Sequence, residues 1–171
     1  MRNELDVKLC TDYPELYQDR HASMQKTLMC WGFSCGDGWY PLIDAISYLL
    51  SCKVIKLRRD IAHLEEMIPK EHKNEWAKKY YTQETLNKAQ VELEEEIKKI
   101  PIAVQVKEKY GTLRFYTNGS FSEECDAYIT FAELMSGKIC ETCGTTKDVF
   151  QTEGWIRTTC PSCETQINNA N

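Results

Sequence analysis

Four cysteines towards the C-terminal end of the sequence have the spacing of a metal site. They form two Cys-x2-Cys pairs with sixteen residues between them, Cys140 with Cys143 and Cys160 with Cys163. Two residues between thiolates allow each pair to bind an ion from one tight turn, and sixteen residues are enough for a hairpin that returns the second pair to the first. The spacing predicts one structural Zn2+ held by four thiolates, which leave no coordination position for water or substrate.

The alternative for these cysteines is a set of free or redox-active thiols. A thioredoxin-type centre uses one Cys-x-x-Cys motif beside a βαβ unit, whereas here two pairs flank one short hairpin. The sequence has nine cysteines, an odd number, and its first residues do not resemble a secretion signal, so we expect no disulfide framework. We therefore interpret residues 137–171 as a zinc ribbon with short strands at 149–150 and 155–157.

The composition is typical of a globular protein that stays in the cytoplasm. Apolar residues make up 42% of the 171 residues and charged residues 27%. The longest apolar stretch, residues 40–50, is interrupted by Asp44 and is too short to cross a bilayer. The net charge of -5 argues against a broad basic surface for non-specific DNA binding. We expect a cytoplasmic protein that does not bind membranes.

Hydrophobic periodicity predicts the elements that must position the cysteines. Residues 1–34 show no sustained period, which predicts an irregular arm with one short helix at 14–19. Pro41 suits the first turn of a core helix with a broad apolar face. From about residue 54 to residue 100, apolar residues recur at steps of three and four in two runs. This pattern predicts an antiparallel helical hairpin inserted into the core domain.

A β-hairpin and a further helix are predicted between this insertion and the cysteines. Residues 102–109 and 112–117 alternate as two strands around a tight turn. Ser122 and Gly137 are residue types that begin and end helices. The predicted buried stripe of this helix consists of Tyr128, Phe131, Ala132 and Met135.

The predicted fold class is therefore α+β. Residues 1–136 form a helix-rich core domain that contains the small antiparallel β-hairpin and the helical-hairpin insertion. Residues 137–171 follow as the zinc-ribbon module, and the final residues QINNAN predict a frayed tail.

Three motifs carry a resemblance to a known family. In chain order they read CWGFSCGDGWYPLID, VKEKYGTLRFY and CETCG…GWIRTTCPSC. They resemble a family of small proteins of tailed bacteriophages and prophages, and the resemblance covers both ends of the chain. It implies a phage-encoded accessory protein that works in the host cytoplasm during infection, and it implies no particular activity. The last ligand in that family is often His, and Cys163 in its place keeps a complete set of four ligands.

Two other regions are candidate contact sites. The loop at residues 35–39 either binds an anion through its backbone N–H groups, or Asp37 caps the following helix and Trp39 anchors it in the core. On the β-hairpin, Lys107, Lys109 and Arg114 either contact a nucleic-acid backbone beside neighbouring tyrosines or form a solvated strand face. Around the cysteines, the side chains available to a partner are Lys147, Phe150, Trp155 and Arg157.

The sequence gives little support for catalysis. The three histidines, His21, His63 and His72, show no spacing that pairs them with a nucleophile, and the acidic run 92–96 is typical of a solvated helix face. No phosphate-binding or dinucleotide-binding motif is present. We expect a non-enzymatic protein.

The leading functional hypothesis is a phage-encoded zinc-binding protein that binds and modulates, by inhibition, a host bacterial protein such as a component of a defence system. This step rests on the family resemblance. Two alternatives stay open. One is a zinc-ribbon protein that binds nucleic acid, and the other is a sponge that binds a small nucleotide at the loop 35–39.

Overall fold

The structure is a computed structural model that describes residues 1–118 and 122–170. In these residues the chain forms helices and two separate two-stranded antiparallel sheets, so the fold class is α+β, as the sequence predicts. The helices are α1 (Asn3–Asp12), α2 (Tyr40–Met67), α3 (Glu75–Tyr80), α4 (Gln83–Ile97), α5 (Glu123–Ser136) and α6 (Pro161–Ala170). The strands are β1 (Ile102–Lys109), β2 (Thr112–Asn118), β3 (Phe150–Gln151) and β4 (Thr158–Thr159). Short 3-10 helices span Leu28–Trp31 and Asp37–Trp39.

The chain divides into two compact units. The first contains Met1–Leu50 and Pro101–Asn171, and the second contains Ser51–Ile100. The four cysteines at positions 140 to 163 belong to the first unit together with the β-hairpin. Within the part of the chain that is described, no helix combines the length and the apolar character needed to cross a bilayer.

Strands β1 and β2 form the hairpin that the sequence predicts. The turn uses Tyr110 and Gly111, both with positive φ, of 54° and 75°. Val106 pairs with Phe115 on the buried face, and Lys107 pairs with Arg114 on the opposite face. The register shifts between Ala103 and Gln105, which places a β-bulge near the start of β1.

Helix α5 covers the outer edge of β2 through side chains. Ser136 Oγ accepts a hydrogen bond of 2.8 Å from the Leu113 N–H, and Glu133 Oε1 accepts one of 2.9 Å from the Phe115 N–H. These bonds satisfy backbone donors that an uncovered edge strand would expose. Phe131 is not in the buried stripe, contrary to the prediction, because it is 62% exposed. Ile129, Ala132 and Ser136 are the buried residues of this helix.

The N-terminal segment is more ordered than the sequence predicts. The predicted irregular arm contains α1, whereas residues 14–20 form turns instead of a helix. A residue outside the helix holds α1 in place: Arg20 donates to the buried Asp6 carboxylate at 2.9 and 3.0 Å. Leu9 and Leu16 are fully buried. A helix whose order depends on such contacts shows little periodicity in its own sequence.

The C-terminal tail also differs from the prediction, because its residues 166–170 belong to α6; residue 171 lies outside the described residues. Pro161 occupies the first position of this helix, where its missing N–H is tolerated, and the Glu164 N–H donates to the Cys160 carbonyl at 3.0 Å.

The second unit is a helical hairpin with its own small core. Buried Ile61, Leu64 and Leu86 form this core, and partly buried apolar side chains pack against it. The Asn74 and Thr82 side chains cap the N-termini of α3 and α4. Side chains of α2, of α3 and of the segments that connect the helices form a group of contacting rings: His63, His72, Trp76, Tyr80 and Tyr81.

Candidate metal centre

The four cysteines predicted as ligands lie together. Their Sγ atoms are all within 4.8 Å of one another, and Cys143 Sγ is 3.8 Å from Cys160 Sγ. A tetrahedral zinc site with Zn–S bonds near 2.3 Å has sulfur atoms about 3.8 Å apart. Cys140, Cys160 and Cys163 are buried, whereas Cys143 is exposed. The geometry therefore fits a metal ion with four thiolate ligands.

The two cysteine turns have the backbone features that such a site needs. In the first turn, the Gly144 N–H donates to the Cys140 carbonyl, and the Cys140 N–H donates to the Thr145 carbonyl, both at 2.8 Å. Gly144 adopts a φ of 77°, which a side chain would strain. The second turn leads directly into α6 at Pro161.

Electrostatics also favour a bound cation. Burial opposes ionisation of Cys140, but N–H groups of Cys143, Thr142 and Cys160 donate to its sulfur and lower its pKa to about 7. Burial and the neighbouring cysteines raise the pKa of Cys163 well above its usual value. Four thiolates that face one another repel, and a divalent cation removes that penalty.

The hairpin between the cysteine pairs differs in detail from the prediction. Its strands are β3 and β4, at 150–151 and 158–159, so residues 155–157 lie in the turn and not in a strand. The Thr152 N–H donates to the Arg157 carbonyl at 3.0 Å, and the Thr152 hydroxyl donates to the Trp155 carbonyl at 2.7 Å. These bonds hold residues 152–157 as a turn. Gly154, within this turn, has a φ of 71°.

Of the four predicted contact residues around the cysteines, three face solvent, Lys147, Phe150 and Trp155, and Arg157 instead holds the fold together. Trp155 is 78% exposed at the turn. Arg157 donates to both carboxylate oxygens of Glu164 at 3.0 and 3.3 Å, which links the turn to α6.

The loop at residues 35–39 packs directly against the first cysteine turn. The Gly36 N–H donates to Glu141 Oε1 at 2.8 Å, and the Gly38 N–H donates to the Glu141 carbonyl at 2.7 Å. A Cβ at Gly38 would overlap the carbonyl oxygens of Cys140 and Glu141 and the amide nitrogen of Gly144. The two N–H groups that could have bound an anion are therefore already used, and the glycines allow the loop to approach the cysteine turn.

Asp37 and Trp39 fix the two sides of this loop. The Asp37 carboxylate accepts from the Arg2 N–H at 2.7 Å and from the Arg2 guanidinium, and these donors lower its pKa. Asp37 therefore holds the start of α1 and does not cap α2 as predicted. Trp39 is fully buried, and its Nε1–H donates to the Ile139 carbonyl at 2.9 Å, one residue before the first cysteine.

The β1–β2 turn contacts the other side of the same hairpin. The Thr158 hydroxyl donates to the Gly111 carbonyl, and a Cβ at Gly111 would lie 2.8 Å from Ile156 Cγ2. The Glu141 N–H donates to the Thr158 carbonyl at 3.0 Å. The three motifs that carry the family resemblance therefore meet at the candidate metal centre, a contact that the sequence did not predict. The sequence feature that indicates this contact is a glycine in each of the two other motifs, Gly38 and Gly111, where the chain approaches the cysteine hairpin closely.

The cationic residues of the β-hairpin have different environments. The Arg114 guanidinium donates to the Leu113 carbonyl at 2.7 Å and lies 3.9 Å from Glu133. The Lys109 ammonium lies 5.5 Å from the Tyr110 ring centroid. The Lys107 ammonium lies 5.8 Å from the Tyr116 ring centroid.

Comparisons of this chain with protein-family models, with curated proteins and with solved structures find no match. The phage-family resemblance therefore stays a prediction that rests on the three motifs.

Proposed function

We propose that this chain is a non-enzymatic binding protein whose fold depends on one structural Zn2+, and that it binds and inhibits another protein. The observation that carries the proposal is the exposure of tryptophan. Of the four tryptophans in the sequence, Trp31 is 67% exposed, Trp76 is 61% exposed and Trp155 is 78% exposed. Tryptophan is the residue type most enriched among the residues that dominate binding energy at protein interfaces.

The contact surface assigned by this proposal is centred on Trp155. Tyr110, on the neighbouring β1–β2 turn, is 70% exposed, and Ile156 is partly exposed beside Gly111. Aromatic side chains in this setting offer a large apolar area at a small cost in conformational entropy. Both turns are fixed by the contacts around the cysteines, so a bound Zn2+ keeps this surface in one arrangement.

The kind of partner is proposed from the family resemblance. A phage accessory protein acts in the host cytoplasm, and a host bacterial protein, such as a component of a defence system, is the partner that this setting provides. A closed four-thiolate site has no open position for catalysis, which supports a binding role for the chain.

Affinity purification from bacterial lysate tests the proposal. The zinc-loaded chain and its Trp155→Ala variant are compared by mass spectrometry, with Trp31→Ala as a matched control because Trp31 lies outside the assigned surface. A partner retained by the wild type and by Trp31→Ala is then purified, and its Kd is measured with each chain. We expect Trp155→Ala to raise the Kd at least about thirtyfold, the effect of losing a dominant interface residue.

An equal Kd for Trp155→Ala and the wild type contradicts the assigned surface. Loss of the captured material after nuclease treatment favours the nucleic-acid alternative. The cation and tyrosine pairs on the β-hairpin, Lys107 with Tyr116 and Lys109 with Tyr110, are the feature that supports that alternative.

A further inference from the structure

An open groove lies beside the β-hairpin, on the face away from the buried core. One wall is the segment 24–28, the other is the end of β2, and the floor is formed by β1. The groove has a volume of about 590 Å3. Pockets for small molecules commonly have volumes of about 300–1,000 Å3, so this one has the size for a nucleotide.

The walls of the groove are held by contacts within the fold. The Thr27 hydroxyl is buried and donates to the Val104 carbonyl at 3.1 Å, which joins the segment 24–28 to β1. The β-bulge lies between Ala103 and Gln105, at the floor of the groove. Bulges redirect side chains and are common next to binding sites.

The charge of the groove is the opposite of the charge of the whole chain. The sequence carries a net charge of -5, yet the described lining side chains include Lys26 and Lys107 and no carboxylate. The Lys26 ammonium is already bound by Asp19 at 2.7 Å. Lys107 forms no ion pair with any residue in the described part of the chain, so its charge is available to an anion.

The groove also offers a ring surface and amides. Tyr116 lines it, is 40% exposed and pairs with Gln105 across the hairpin. Gln25, Gln105 and Asn118 supply amide groups. An exposed aromatic ring beside a cation and several amides matches a ligand with a flat ring and an anionic group.

The number of available cations argues for a small ligand. Arg114 lies on the same face but is used by the Leu113 carbonyl and lies near Glu133. A nucleic-acid strand needs several phosphate contacts for stable binding, whereas the one available ammonium in the groove, that of Lys107, suits one anionic group.

We propose that this groove binds a small organic anion of the nucleoside monophosphate class, with the anionic group at Lys107 and the ring against Tyr116. This site is separate from Trp155, and it replaces the loop 35–39 as the location for a nucleotide. The two sites are tested with different variants, so either can fail without the other.

Calorimetric titration of the zinc-loaded full chain tests the groove. The probes are AMP, GMP, CMP and UMP, with adenosine, inorganic phosphate and a single-stranded DNA octanucleotide as comparisons. We expect at least one monophosphate to bind with a Kd below about 1 mM. Lys107→Ala should weaken that binding at least about tenfold because it removes a charge-assisted contact. Tyr116→Ala should weaken it about fivefold or more through lost stacking.

Lys109→Ala is the matched control, because Lys109 is a lysine of the same strand that does not line the groove. It should leave the Kd unchanged within about twofold, and all three variants should keep the melting temperature and zinc content of the wild type. Four results overturn the proposal. The first is that no monophosphate binds, and the second is that inorganic phosphate binds as tightly as the monophosphates do. The third is that Lys109→Ala weakens binding as much as Lys107→Ala does. The fourth is that the octanucleotide binds more than about tenfold more tightly than any monophosphate.

Discussion

The region around Cys140 and the helical hairpin Ser51–Ile100 are stabilised in different ways. Around Cys140, the contacts join distant parts of the sequence, and the hydrogen bond from Gly36 to Glu141 spans 105 residues. In the helical hairpin, the core residues Ile61, Leu64 and Leu86 are close in the sequence, and side-chain caps begin its shorter helices. The first region has four candidate metal ligands in its centre, whereas the buried cluster of the second consists of apolar side chains.

The two regions therefore differ in how well they tolerate amino-acid substitutions. At Gly36 and Gly38 the cysteine region packs backbone against backbone, so an added methyl group at either position has no space. The helical hairpin packs through apolar side chains and has exposed ion pairs on its surface, such as Lys70 with Glu66 and Lys88 with Glu84. Exposed pairs of this kind contribute little to stability. We therefore expect mutations in the two regions to affect different measurements.

The largest effect is expected for Cys140→Ser. Metal binding in small structural zinc modules contributes about 10–16 kcal/mol, and a lost ligand forfeits much of it. The variant should lose the zinc that elemental analysis is expected to find at about one ion per chain. It should also lose the near-ultraviolet circular dichroism of buried Trp39, whose Nε1–H donates to the carbonyl of Ile139, the residue before Cys140. Cys52→Ser, outside the cluster, is the control, and full zinc content in Cys140→Ser contradicts the assigned ligand set.

A smaller effect is expected for Leu64→Ala in the helical hairpin. Leu64 is buried in the core of the second unit, and deletion of a buried leucine costs about 2–5 kcal/mol in the free energy of unfolding. Urea denaturation measures this loss, and elemental analysis should still find the wild-type zinc content. Val91→Ala, at an exposed position of α4, should change stability by less than about 0.5 kcal/mol. Zinc loss in Leu64→Ala would show that the two regions are not independent.

Gly38→Ala tests the backbone packing of the cysteine region. The added Cβ overlaps the backbone of Cys140 and Gly144, so we expect a cost of about 1–3 kcal/mol in the free energy of unfolding and weaker zinc retention against a chelator. Gly137→Ala is the matched control. A Cβ there meets its nearest neighbours at 3.5 Å and Gly137 has a φ of -70°, so its stability should change little. Equal stability of Gly38→Ala and Gly137→Ala argues against close packing of the loop.

The smallest effect is expected for Asp37→Asn, and it should depend on pH. Hydrogen bonds from Arg2 lower the pKa of Asp37 in the folded chain. The carboxylate therefore stabilises the fold above its unfolded pKa of about 3.9, and the stabilisation is lost as the pH falls through the lower folded pKa. Because the Arg2–Asp37 pair is exposed, the wild type and Asp37→Asn should differ by less than about 1 kcal/mol in the free energy of unfolding at neutral pH. Urea denaturation at neutral and at acidic pH measures it, and a difference that grows on acidification contradicts this assignment.

The sequence predicted the features that depend on local chemistry. The cysteine spacing identified all four clustered thiols, and Ser122 marked the start of α5 because capping depends on neighbouring residues. The alternation of β1 and β2 predicted the hairpin. These features require only residue types and short spacings.

The features that the sequence did not predict depend on distant contacts. The order of α1 depends on the ion pair between Arg20 and Asp6. The sequence did not predict that Phe131 is exposed, because the apolar residues of α5 fit two neighbouring helix faces equally well. The glycines of the loop 35–39 resembled an anion site, and only the position of Glu141 reveals that they accommodate the cysteine turn. Residue types alone do not show which backbone lies opposite a glycine.

The contact between the loop 35–39 and Glu141 has a consequence for the order of folding. During synthesis, the helical hairpin leaves the ribosome with all its core residues and can form early from local contacts. Gly36 and Gly38 must wait until more than 100 further residues have been translated before their partner appears. We expect zinc capture to be the late step that completes the first unit. The concentration of available zinc in the cell would then set how quickly newly made chains complete this unit.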